Sequence, residues 1–449
     1  LQQVPLKAMS SWKQVLDSVR VFADRNPDGW VIGNGWDQNL WPGKKFPDKA
    51  KLDSLFPVRP VILNRVDGHA AIANQAALNV AGIKPGQKIV GGEIETIDGK
   101  LTGVLIDNAI GIVTRKIPDP TEQITQSALL DAQRNCFKVG LTTVDDCGLP
   151  YTMINTIANL QKQGTLKMRM YLMLADRPEN YDYLFKRGIY KTPGLNVRAF
   201  KVYGDGALGS RGACLLGPYS DQPASNGFLL SPKTHFEEVA KLIADNGFQM
   251  CTHAIGDSAN RAILNIYANI LKGKNDKRWR IEHAQVVSPD DMKLFGDNSV
   301  IPSVQPTHAT SDMYWAGQRL GAARLKTAYA YKDLLKQNGW IALGTDFPVE
   351  HINPLYTFYA AVVRKDLKGY PAKGFQMENA LTREQALRGM TIWAAKANFE
   401  EHEKGSIEAG KYADFIITDQ DLMTAKPGEL PNIGIIKTYI NGEKVYEKK

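Results

Sequence analysis

"FKVYGDGALGS", Phe200 to Ser210, decides how the chain is read. Phe200, Val202 and the preceding Val197 belong to a strand that seeks burial, yet Lys201 stands in its middle. Burying an unpaired ammonium costs on the order of several kcal/mol. Either Lys201 points outward and the strand is ordinary, or something at the strand's end requires a lysine. The glycines of "GDGALG" invite a phosphate-cradling loop, but they match neither the dinucleotide nor the P-loop pattern. The "SRGACLLGP" that follows makes a poor helix.

Outward from this stretch, short apolar runs alternate with amphipathic segments, the signature of a parallel βαβ sheet. Strands are expected in "LTTVDDC" (141–147), "RMYLMLA" (169–175), "VRAFKVYGDG" (197–206) and "FQMCTHAIGD" (248–257). "RWRIEHAQVV" (278–287), "VIPSVQPTHA" (300–309) and "WIALGTDFPV" (340–349) complete the set. Helices are expected between them, for example "HFEEVAKLIADNG" and "SANRAILNIYANILKG"; the latter places Ala262, Ile263, Ile266, Ile270 and Leu271 near helical spacing. Strands spaced by roughly 25–50 residues fit a (β/α)8 barrel better than an open doubly wound sheet, with one strand missing.

Upstream, "SWKQVLDSVRVFAD" reads as a helix, "RPVILNRVDGHA" as a strand and "AIANQAALNVAG" as a helix. "GGEIETIDGKLTGVLID" reads as a hairpin turning at Asp98-Gly99. "TREQALRGMTIWAAKANF" is the last barrel helix, and "GSIEAGKYADFIITDQD" with "IKTYINGEKVYE" forms a small β module. The expected organisation is therefore 1–140 as the N-terminal part of the barrel domain with an inserted α/β segment, 141–400 as barrel strands two to eight, and 401–449 as strands of a small β-sandwich.

With 449 residues the chain can bury a large core. Its net charge of +8 is spread without a dense basic run, so nucleic acid is not an expected partner. The cysteines, Cys136, Cys147, Cys214 and Cys251, show no CxxC pairing and suggest neither a disulfide framework nor a thiolate zinc site. No run reaches the 18 or so apolar residues of a membrane span. The chain begins at "LQQVPLKAMS" without methionine; a cytoplasmic location is expected, although an export signal could have preceded Leu1.

In a closed parallel barrel the C-terminal strand ends face the active site. Lys201, His253, His283, His308 and Asp346 stand at consecutive strand ends. A lone strand-end histidine is usually a satisfied core residue; three with an aspartate and a buried lysine point to a divalent metal, since imidazole and carboxylate suit Zn2+, Mn2+ or Fe2+. Such an ion lowers the pKa of water toward about 7, and Asp346 can take and return the proton. A neutral Lys201 can add CO2 and become a metal-binding carbamate. The rival reading is a metal-free ion pair, Lys201–Asp205 or Lys201–Asp346. Trp30, Trp36 and Trp41 read as packing residues, and His235, His351 and His402 as surface or structural.

"DGHAAIANQAAL", "KVYGDGALGSR", "THAIGD", "RIEHAQ", "QPTHATSDM", "GTDFPVE" and "GSIEAGKYADFIITD" resemble, in order, the amidohydrolase superfamily. More narrowly they resemble its amidohydrolase-3 branch, the YtcJ-like and N-substituted formamide deformylase-like proteins. The resemblance implies a metal-dependent (β/α)8 TIM-barrel hydrolase with a small β-sandwich. It implies metal ligands at Lys201 (carboxylated), His253, His283 and Asp346, with one or two ions, zinc first among them. Asp346 and His308 would be catalytic, and His69, His308, Asp205 and Arg211 would contact substrate. The family's first barrel strand ends in His-x-His, and this chain has none. The resemblance therefore implies a longer natural protein, with a strand lent by a domain-swapped oligomer as the alternative.

The function expected is hydrolysis of non-peptide carbon–nitrogen bonds in a small-molecule substrate, and a homodimer is compatible with it. The alternative is a non-catalytic barrel that binds a small ligand after losing its first metal site.

Overall fold

The computed structural model describes residues 3–449. Its chain divides into two compact units: residues up to 119 with 205–232 and 318–321, and residues 120–204 with 233–317 and 322–449.

The first unit holds β1 (Val4–Pro5), β2 (Val31–Trp36), β3 (Val61–Arg65), β4 (Ala70–Ala73), β5 (Gly92–Ile97) and β6 (Lys100–Asp107). They form a sheet in the order β1-β2-β3-β4-β6-β5. The first three strands are parallel and the others antiparallel. The helix Trp12–Arg25 is capped by Ser11, which accepts the Gln14 N–H, and buries Val15, Leu16, Val19 and Ala23. These side chains share a core with Trp36 and Trp41, whose packing role is as expected. The β5–β6 turn falls on Asp98 and Gly99, both with positive φ (50° and 73°), as a two-residue type I′ hairpin demands.

One segment departs from expectation. "AIANQAALNVAG" is a helix only from Gln75 to Ala81; Ala70–Ala73 is a strand. Alanine favours helix, but here β3 and β6 both pair with these residues, and tertiary pairing overrides propensity.

The second unit is built on parallel strands: β7 (Thr143–Leu149), β8 (Arg169–Ala175), β10 (Leu195–Tyr203), β11 (Gln249–Ala254), β12 (Arg280–His283), β13 (Ile301–Val304) and β14 (Ala342–Leu343). A short β9 (Tyr190–Lys191) pairs antiparallel with β10. The order β14-β13-β12-β11-β10-β8-β7 is sequential apart from that excursion, so the sheet curls as an open half-barrel, a (β/α)8 barrel without its first strand. Strand β10 is buried on both faces, which is why it reads as an apolar run. A separate antiparallel sheet joins β15 (Phe415–Thr418), β16 (Ile435–Ile440) and β17 (Glu443–Glu447).

Helices fill the crossovers as expected, among them Lys233–Asp245 and Asp257–Leu271. The second buries Ile263, Leu264, Ile266, Tyr267 and Leu271. Asn260 ties its first turn to the sheet by donating to the Ala254, Gly256 and Val286 carbonyls. The last barrel helix is two, Arg383–Met390 and Ile392–Ala397, broken at Thr391.

Two N-terminal strand ends of the half-barrel carry paired charges. Arg280, the first residue of β12, donates to Glu282 (2.6 Å) and Asp145 (2.9 Å), and Asn398 donates to the other Asp145 oxygen (2.7 Å). Arg169, the first residue of β8, pairs with Asp414 and stacks on the Tyr412 ring at 3.9 Å.

Candidate metal centre

Lys201 sits within β10, between Ala175 of β8 and Cys251 of β11 by register, and is buried. Its amine faces the Tyr203 ring, 4.6 Å from the centroid. Burial opposes an ammonium there; Tyr203, Cys147, Glu282 and Asp346 outweigh it and raise the group above the ordinary lysine range. Two of these four are protonated at neutral pH, because burial pushes the Cys147 thiol up to about 12 and Tyr203 is raised too. The neighbours that carry charge, Glu282 and Asp346, hold Arg280 and His308. Among the described residues no carboxylate of this unit lies within ion-pair distance of the Lys201 amine, so of the rival metal-free pairs the one with Asp346 is not formed.

His253 lies one residue before the end of β11, and its ring meets that of His283 edge to face, centroids 4.5 Å apart. His283 ends β12 with φ 75°, in the left-handed region that a non-glycine residue avoids without cause. Its Nδ1 is buried without a hydrogen-bond partner. Burial lowers its pKa to about 3, so the ring is neutral.

His308 is not at a strand end. Strand β13 stops at Val304, and Pro306 starts a helix, Pro306–Asp312, that carries His308 in its first turn. Its Nδ1 lies 3.0 Å from Glu350 Oε1 and its Nε2 3.2 Å from Asp346 Oδ2. Ser311 donates to the same Glu350 oxygen at 2.6 Å. Burial opposes the His308 charge, but the two carboxylates win and raise its pKa well above the usual value. Asp346 follows the short β14 on a loop, with φ 57° and about a third (35%) of its side chain open. Burial opposes its charge, and His308, His283 and Lys201 overcome that and bring its pKa down to about 2.

Ligand atoms of His283, His308 and Asp346 all lie within 4.8 Å of one another. Two imidazoles and a carboxylate suit a borderline divalent ion. The fit is supported by the His283 nitrogen, a buried polar atom that protein leaves unsatisfied and a cation would satisfy. Lys201 and His253 stand beside this cluster, and His308, expected against the substrate, is inside it. Glu350 and Tyr203 were not singled out by sequence. Glu350 lay within the quoted "GTDFPVE", four residues after Asp346, and that spacing was the available signal.

His69, Asp205 and Arg211 belong to the first unit. His69 Nδ1 is 2.6 Å from Asp107 Oδ1. Asp107 itself has φ 50°, and its other oxygen is buried without a partner. Gly206 and Gly212 press on that carboxylate: a Cβ at either would lie 2.3 or 2.2 Å from Oδ2. Gly206, one of the glycines of the opening stretch, thus serves close approach to an aspartate. Asp205 accepts the Cys214 N–H at 2.8 Å, and Arg211 pairs with Asp221 at 2.8 Å.

The sequence profile of the amidohydrolase family, Amidohydro_3, matches residues 1–446. The chain belongs to this family. This amidohydrolase is 31% identical over 458 residues to the putative amidohydrolase YtcJ of Bacillus subtilis, covering 99% of this chain and 85% of that one. It is 25% identical to the N-substituted formamide deformylase of Arthrobacter pascens, covering 98% and 83%. An uncharacterized metal-dependent hydrolase from Pyrococcus horikoshii OT3 superposes with a TM-score of 0.75 at 26% identity, over 95% of this chain and 83% of that one. Family, fold and ligand cluster agree on a metal-dependent amidohydrolase acting on carbon–nitrogen bonds. No helix is long and apolar enough to cross a membrane among the described residues.

Proposed function

We propose that this amidohydrolase cleaves small non-peptide amides, N-substituted formamides among them, at a zinc centre held by His283, His308 and Asp346. The observation that carries the reading is the partnerless, buried Nδ1 of His283 inside a cluster that already gathers a second imidazole and a carboxylate. A divalent ion there supplies Lewis acidity and brings the pKa of water toward about 7.

The chain's own groups do the rest. Asp346 stays ionised across the working range and accepts the proton of the attacking water, then returns it to the departing nitrogen. Glu350 holds His308 at Nδ1 and so turns Nε2 toward Asp346. Lys201, a buried group without a carboxylate of its own, would first give up its ammonium proton and then add CO2, releasing a second proton and leaving a carbamate that with His253 extends the ligand set. His283, neutral down to about pH 3, binds without first losing a proton.

The test is reconstitution with Zn2+ and bicarbonate, elemental analysis, and detection of amine released from N-benzylformamide and N-methylacetamide. Bound zinc with amine release is the expected result. Protein that takes up no metal and releases no amine would return the chain to the non-catalytic reading.

A further inference from the structure

Beyond the metal cluster, the helix that carries His308 leads to an exposed aromatic pair. Tyr314 comes six residues after His308, and Met313 between them keeps helical dihedrals (φ −52°, ψ −23°). At about 1.5 Å per residue, Tyr314 lies roughly 9–11 Å along the chain from His308. Its ring stacks on Tyr370 with centroids 5.5 Å apart and planes 14° from parallel. Tyr314 is 51% exposed, and Tyr370 and Leu367 are each 56% exposed.

The pair is built rather than loose. Asp366 Oδ1 accepts the backbone N–H groups of Lys368 (2.9 Å) and Tyr370 (2.8 Å). The Asp366 N–H donates to the Tyr370 carbonyl at 2.8 Å, and Gly369, at φ 82°, closes the turn. The Tyr314 hydroxyl donates to the other Asp366 oxygen. One aspartate therefore ties the Tyr314 hydroxyl to the turn that carries Tyr370, and both residues are more than half exposed.

We propose that the Tyr314–Tyr370 stack, edged by Leu367, is a substrate-selecting platform that takes a flat apolar group, aromatic for preference, carried on the amide. The proposal rests on the amide-hydrolase reading of the neighbouring cluster. Continuity argues for this occupant: a single helix and its exit connect the platform to His308. Size argues against a protein partner, since three side chains fall far short of the roughly 800 Å² per partner of a stable interface. The charge of Asp366 is spent on the turn, which leaves two aromatic faces as the recognition chemistry.

The experiment compares binding of N-benzyl and N-cyclohexylmethyl methanesulfonamide, which resist hydrolysis, to the metal-loaded chain by calorimetry. The benzyl probe is expected to bind roughly 3- to 10-fold tighter. That ratio falls to about one in Tyr314→Ala and, independently, in Tyr370→Ala. Equal binding of both probes to the wild type, binding of neither, or an unchanged ratio in both alanine variants would overturn the platform. Amine release is read separately on N-methylacetamide, which has no group to place on the rings. Its absence alongside an intact benzyl preference sinks the hydrolase reading and leaves the platform standing.

Discussion

The two ends of the parallel sheet treat buried polar groups in opposite ways. At the N-terminal end, Arg280 is matched by Glu282 and Asp145, and Arg169 by Asp414. Both of these guanidinium groups have carboxylate partners at hydrogen-bond distance. At the C-terminal end, Lys201 has no carboxylate of its unit within ion-pair distance, His283 leaves a nitrogen unbonded, and His283 and Asp346 sit at positive φ. Burial costs are similar at both ends. The difference is that Arg280 and Arg169 are matched by protein groups, whereas the His283 nitrogen is matched only with something else bound. In barrels of this kind the first pattern serves stability and the second chemistry.

The comparison can be broken most directly at His283. His283→Ala removes the ligand whose free nitrogen defines the cluster. Loss of bound zinc and a fall in kcat/KM of roughly 10³-fold are expected, with the melting temperature of the metal-free protein little changed. Retained metal would mean that the unsatisfied nitrogen was not a ligand. At the opposite end, Arg169→Ala strands a buried Asp414 carboxylate, and a stability loss of about 3 kcal/mol in urea unfolding is expected. Zinc content per folded molecule should not move. If it does, the two ends are not separate in function. Gly212→Ala pushes a methyl onto the Asp107 carboxylate and should cost about 2 kcal/mol, read in the same unfolding experiment.

Much of this was legible in the sequence. Parallel strands buried on both faces write themselves as apolar runs, so β8 and β10–β14 were locatable, whereas β7, only partly buried, was placed by its spacing from them. Lys201, His253 and His283 stood out because a polar residue inside such a run needs a reason. His308 was assigned to a strand because "QPTH" continues the apolar stretch, whereas Pro306 opens a helix there. Glu350 was passed over because a carboxylate on a polar turn looks like any solvated charge. Asp107 left no trace: its strain and the press of Gly206 and Gly212 on it exist only once distant segments meet. Residues 71–73 misled through their own helix propensity, which pairing on both sides overrode.

The gentlest test separates His308 as ligand from His308 as bystander. Its folded pKa lies well above the unfolded value near 6.5, so its proton stabilises the metal-free fold fully below about pH 6.5, a contribution lost as pH rises through the folded pKa. His283, lowered to about 3, has the opposite sign and is already neutral above pH 6.5. Asp346, lowered to about 2, contributes stability that disappears only in strong acid. Above pH 6.5 and below the folded pKa of His308 the ion therefore competes with one proton in the cluster, that of His308. In carbonate-free buffer, where Lys201 stays an amine, zinc affinity measured by chelator competition should climb about tenfold per pH unit. A flat profile would place His308 outside the coordination set, held as a cation between Asp346 and Glu350. A hundredfold rise per unit would mean that a second proton leaves with it, and Lys201 is the buried amine positioned to lose one.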